Sequence, residues 1–66
     1  MDKLDPARVI IVEAIATLEN GIEELMPGQA PPSSKADIVE ASTALRKLGE
    51  ALREHAERID KALKQV

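Results

Sequence analysis

Apolar residues recur along the first part of the chain at intervals of three and four residues, the spacing of one side of an α-helix. The members of this stripe are Ile11, Ile15, Leu18, Ile22 and Leu25. Further apolar residues between Val9 and Ala16 widen the stripe, which predicts contact with more than one neighbouring helix. Asp5 is the expected N-cap before Pro6, and Pro27 with Gly28 ends the pattern. We therefore predict a first helix over residues 5–26.

A second helix is predicted over residues 34–66, after a turn at residues 27–33 that contains three prolines and a glycine. Ser34 is the expected N-cap, and Asp37 follows three residues later in a position resembling a capping box. The apolar residues of this helix again recur every three or four positions, as Ile38, Ala41, Leu45, Leu48 and Leu52.

Beyond Leu52 the pattern allows two continuations. A strict heptad continues through His55, Ile59, Ala62 and Val66. A drift by one residue gives Ala56, Ile59, Leu63 and Val66 instead, and places His55 on the flank. We prefer the second continuation, because burying Leu63 stabilises the protein more than burying His55.

Folding the two helices back on each other gives an all-α, antiparallel helical hairpin in which the second helix is longer. If the chain reverses directly at the turn, Asp5 lies level with Ala56, and residues 56–66 project beyond the first helix. An exposed apolar stripe on a projecting helix indicates a partner. Gly21 lies within the first helix, where it is either a tolerated surface glycine or a point of close helix approach.

A chain of 66 residues is close to the lower size limit for independent folding. It contains no cysteine and no aromatic residue, so disulfides and large buried rings are unavailable to stabilise it. Association therefore becomes the expected source of stability, first with a second copy as a homodimeric four-helix bundle. The residues assigned to its core and interface are Ile11, Ile15, Leu18, Ile22, Leu25, Ile38, Leu45, Leu48, Leu52, Ile59, Leu63 and Val66.

Catalysis, metal binding and cofactor binding are not expected. His55 is the only histidine, and no cysteine is present to act with it. A carboxylate-bridged metal site in a helical bundle requires Glu three residues before His, but Leu52 occupies that position. We expect His55 to be a surface residue beside the bundle, with a pH-sensitive interface contact as the alternative.

Two other functional classes share the same fold. In one, the projecting C-terminal end of the second helix docks onto a different helical protein as a subunit or chaperone-like adaptor. In the other, the hairpin binds RNA or DNA through a basic row on the second helix. A short helical hairpin that dimerises resembles, in architecture only, the small plasmid-encoded regulators that bind paired RNA loops. The residues of that row are Arg46, Lys47, Arg53, Lys61 and Lys64.

Charge and composition disfavour nucleic-acid and membrane binding. Acidic residues interleave with the basic row, the net charge is −3, and no aromatic side chain can stack on a base. The apolar run from Val9 to Val12 is followed at once by Glu13, so it is too short to span a membrane. A cytoplasmic assembly protein without enzymatic activity is therefore the function expected from the sequence.

Overall fold

The computed structural model describes residues 2–66 as two antiparallel α-helices, α1 over Asp5–Leu25 and α2 over Lys35–Leu63. A single 3₁₀ turn, Pro27–Gln29, lies in the connection. The all-helical fold with a longer second helix is confirmed, and residues 2–66 contain no strand. The Cα atoms extend over 48 × 18 × 8 Å, so the molecule is one layer of two helices with no second layer packed on either side.

The first turn of α1 is held by a small polar network rather than by Asp5 as the N-cap. Leu4 occupies the N-cap position and makes no side-chain cap, while the Asp2 carboxylate accepts the Leu4 N–H at 2.9 Å. Arg8 Nη1 donates to both Asp2 and Asp5, at 3.0 and 2.8 Å. The Leu4 N–H and, to a smaller extent, Arg8 hold the pKa of Asp2 below its ordinary value.

The connection between the helices reverses the direction of the chain over several residues and not in one tight turn. Met26 leaves helical geometry at φ −135° because Pro27 follows it, although its N–H still donates to the Ile22 carbonyl at 2.9 Å. Gly28 and Gln29 then both adopt left-handed backbone conformations, with φ of 65° and 63°. Residues 30–33 continue beside the first two turns of α2, where Pro31 and Pro32 help to line a shallow hollow with Asp37 and Glu40.

Helix α2 begins with the cap that the sequence indicates. The Ser34 hydroxyl oxygen accepts the Asp37 N–H at 3.1 Å, and Ser34 itself has extended backbone angles. This bond satisfies one of the N–H groups that the first turn of a helix leaves unpaired.

Loss of the Ser34 cap should therefore destabilise the hairpin. Ser34→Ala is expected to lower the free energy of unfolding by about 1 kcal/mol, measured by urea unfolding followed by circular dichroism. Ser33→Ala removes a neighbouring hydroxyl that caps nothing in the structure, and its midpoint should stay within error of the parent. Equal effects of the two substitutions would show that the cap does not stabilise α2.

The register of the two helices differs from the register expected for a direct reversal. Arg58 donates to Glu13 at 2.8 Å, and a Cβ atom on Gly21 would lie 2.7 Å from Leu48 Cδ2. These contacts place Ala7 level with the last turn of α2, so α1 runs beside residues 56–63. The predicted projection of residues 56–66 is therefore wrong. The part of α2 that extends beyond α1 lies at the loop end of the hairpin. The residues that connect the helices are numerous enough to lie beside Lys35–Ala41, so α1 begins to pair with α2 only after this segment.

Small side chains form most of the contact between the helices. Of residues 2–66, only Ala7, Ile10 and Gly21 are buried, and all three belong to α1. The half-buried residues of the contact are Ala14, Thr17 and Leu25 in α1 and Ala41, Ala44, Leu48, Ala51, Leu52, His55, Ile59 and Ala62 in α2. Gly21 is thus a point of close helix approach, which decides between the two interpretations of this glycine.

Adding one methyl group at Gly21 should cost stability despite improving helix propensity. Gly21→Ala would place Cβ 3.2 Å from Leu48 Cγ and closer still to both Leu48 methyl groups. We expect the free energy of unfolding to fall by about 1 kcal/mol, because overpacking exceeds the propensity gain. Asn20→Ala is the control, since Asn20 is exposed and gains propensity without a clash. A Gly21→Ala variant stabilised as much as Asn20→Ala would contradict the close packing.

Candidate interaction surface

The large aliphatic side chains of α1 lie beside the contact with α2 rather than in it. Ile11, Ile15, Leu18 and Ile22 each directly follow a residue that faces α2, and are therefore rotated by about 100° around the helix axis. All four are exposed, between 41% and 53%. A row of isoleucine and leucine thus covers one side of α1 without a partner.

Helix α2 carries a second row on the same side of the hairpin. Its members each follow a contact residue by one position: Ser42, Leu45, Gly49, Leu52, Ala56, Asp60 and Leu63. Apart from the charged Asp60, which interrupts the row, they alternate between small and large residues. In an antiparallel pair, equal rotations away from the contact bring the two rows to one side. We call these two rows together, without Asp60, the apolar face, defined as Ile11, Ile15, Leu18, Ile22, Ser42, Leu45, Gly49, Leu52, Ala56 and Leu63.

The opposite side of the hairpin is mostly polar, although Val9 and Ala16 of α1 also lie on it. Its polar residues, which precede contact residues, include Glu13, Asn20 and Glu24 in α1 and Glu40, Lys47, Glu54, Arg58 and Lys61 in α2. The ion pair between Glu13 and Arg58 shows that these two rows lie on one side, which places the apolar rows on the other. Both partners are about half exposed, so the pair contributes well under about 1 kcal/mol of stability.

The hairpin exposes more surface than a chain of its mass normally does. Its solvent-accessible area is 5347 Å², whereas a folded monomer of 7.1 kDa has about 4,100 Å². The excess of about 1,300 Å² is comparable with the area that each subunit of a permanent homodimer buries, roughly 1,000–2,500 Å². Burial of the apolar face would remove exposed surface with the largest gain in free energy per unit area.

Eight of the twelve residues assigned from the sequence to the core and interface are exposed in the single chain: Ile11, Ile15, Leu18, Ile22, Ile38, Leu45, Leu63 and Val66. Leu25, Leu48, Leu52 and Ile59 are half-buried between the helices. Their role as the core of an assembly stays a prediction. Sequence reasoning missed that Ala7, Ile10, Ala14 and Gly21 carry the contact within the hairpin, although their own three-and-four spacing is visible in the sequence.

His55 lies between the helices and not on the flank. It is half-buried, and its Nδ1 is 2.7 Å from the carbonyl oxygen of Ala51, a contact in which the ring nitrogen is the donor. Ile59 and Ala62 are half-buried in the same row, whereas Ala56 and Leu63 are exposed. The contact within the hairpin therefore follows the strict heptad through His55, and our preference for the drifted pattern was wrong for this contact.

The five basic residues proposed for nucleic acid do not share one surface. Lys47 lines a shallow groove with Thr17 and Glu24, and Lys61 lines another with Glu54 and Glu57. Helical spacing places Arg46, Arg53 and Lys64 on the far side of α2, away from these grooves. Carboxylates accompany the basic residues in both grooves.

Residues 2–66 contain no cluster of three or more histidine, cysteine, aspartate or glutamate residues that could hold a metal ion. The hollow beside the loop, about 310 Å³, is lined by prolines and carboxylates with no histidine. Within residues 2–66, neither helix is apolar enough over sufficient length to cross a membrane.

Comparison with known proteins gives no relative: no protein-family model, no curated protein and no solved structure matches this chain.

Proposed function

We propose that this protein is a non-catalytic assembly protein that acts through helix packing, and that its partner is a second copy of itself. The apolar face is the observation that supports this proposal. Two such faces packed together would form a four-helix bundle, in which Ile11, Ile15, Leu18 and Ile22 lose contact with water. The excess surface of about 1,300 Å² per chain is comparable with the area that each subunit of a permanent homodimer buries.

A different helical protein is the alternative partner. That alternative depended on a projecting C-terminal end of α2, but α1 lies beside this end and Ile59 is half-buried. The structure thus removes the feature that favoured a heterologous partner. Nucleic-acid binding gains no support either, because the basic residues are divided between two sides of α2.

Sedimentation equilibrium with circular dichroism, over a series of protein concentrations, tests the proposal. We expect a mass of twice 7.1 kDa, high helicity and a melting temperature that rises with concentration. A chain that stays monomeric and only partly helical at the highest concentration would overturn self-association. That result would instead indicate that a different protein covers the apolar face.

A further inference from the structure

We infer that the two copies pack with their two-fold axis parallel to the helices, so that α1 of each lies over α2 of the other and both proline loops share one end. This inference rests on the proposed self-association and adds the arrangement of the partner. With this symmetry, residues that lie level within one hairpin also lie level between the two copies. The contacts Glu13–Arg58 and Gly21–Leu48 then set the register of the whole interface.

Two of the four large α1 residues in the apolar face lie level with small residues of α2, whereas Leu18 lies level with Leu52 and Ile11 with Asp60. The register places Ile15 level with Ala56, and Ile22 level with Gly49. The two pairs are seven residues apart along each helix, so they lie in the same line of contacts, two helical turns from each other. Apart from the two chain neighbours of Gly49 and the nearby backbone of α2, no atom of the chain lies within 4 Å of the position where a Cβ would be. In the proposed arrangement, the side chain of Ile22 occupies this space on the partner's α2.

An axis perpendicular to the helices gives the competing arrangement, with α1 over α1 and α2 over α2. In that case the four large residues of the α1 row face their own copies, whereas Gly49 and Ala56 lie in the other half of the interface, so large and small residues are not interleaved. The size pattern therefore favours the parallel axis.

Distance measurements between spin labels distinguish the two arrangements. The chain has no cysteine, so Ala30→Cys in the loop and Gln65→Cys at the opposite end each introduce a single labelling site. With the parallel axis, both labelled dimers should give distances under about 30 Å, because neighbouring helices lie about 10 Å apart. Distances close to the 48 Å length of the hairpin at both sites would overturn the arrangement while leaving self-association intact. The absence of any coupling between labels, together with a monomeric mass, would overturn both.

A size exchange across the interface tests the pairing of Ile22 with Gly49. Gly49→Leu adds helix propensity, and its Cβ points into open space in the single hairpin, yet it should raise the dimer dissociation constant roughly tenfold or more by clashing with the partner's Ile22. Adding Ile22→Ala in the same chain should restore most of the affinity. An unchanged dissociation constant for Gly49→Leu, or a double variant weaker than either single variant, would overturn this pairing.

Discussion

Replacing Leu45 by aspartate is expected to convert the proposed dimer into monomers. Leu45 is 57% exposed in the single chain, so a carboxylate there remains in water as long as the hairpin is alone. In the assembled bundle the same carboxylate would be buried in the apolar face, once in each subunit. Burying an unpaired charge costs about 3 kcal/mol or more, so the dissociation constant should rise at least a hundredfold. Sedimentation velocity over a dilution series measures this change.

Val39 provides a matched control for this experiment. It lies on the same helix, has the same exposure of 57% and is also aliphatic, but helical spacing places it on the outer side of α2. Val39→Asp introduces the same charge and should leave the dissociation constant within a factor of a few. If both substitutions weaken the dimer equally, net charge and not the apolar face controls association. If neither weakens it, the apolar face is not the interface.

Replacing Leu48 by aspartate is expected to abolish cooperative folding. Leu48 is half-buried against Gly21, at the closest approach of the two helices. A carboxylate there would lose water on the side that faces α1 and find no positive partner in the contact, at a cost of a few kcal/mol. Because a hairpin of this size has a margin of only a few kcal/mol, most of its helical circular dichroism should disappear at 25 °C.

Thr43→Asp is the corresponding control for Leu48→Asp. Thr43 is exposed on the same helix, and its hydroxyl donates only to the Val39 carbonyl within α2. We expect this variant to keep its helicity, with a loss of at most about 1 kcal/mol. Full helicity of Leu48→Asp at the same concentration would show that the contact between α1 and α2 does not stabilise the fold.

The helices and their ends could be predicted from the sequence because they depend on neighbours along the chain. Pro27 ends α1 whatever the helix packs against. Ser34 caps α2 through a hydrogen bond to a residue three positions away. The N-cap of α1 was the exception. Leu4 occupies the N-cap position without a side-chain cap, and Asp5 is the first helical residue, whose carboxylate accepts from the Asp2 N–H and from Arg8.

The sequence predicted that aliphatic residues form the candidate interface, but not on which side of each helix the interface lies. Helical periodicity showed an apolar stripe on α1 that is wider than contact with one helix requires. In the structure, one part of this stripe faces α2 and the other part is exposed. Ala7, Ala14 and Gly21 take the part that faces α2, because small residues let the helices approach closely. Ile15 and Ile22 are left on the open side. Periodicity alone cannot say which part of a wide stripe meets which neighbour.

The sequence by itself therefore determined two amphipathic helices, a proline-rich connection and a surplus of aliphatic side chains for one small layer. Only the tertiary structure decided the register between the helices, the placement of His55 in the contact and the side on which the apolar face lies. The physical reason is the range of the interactions. Helices and caps form between residues up to four positions apart, whereas Glu13 meets Arg58 across 45 positions along a path that depends on how the loop folds back beside α2.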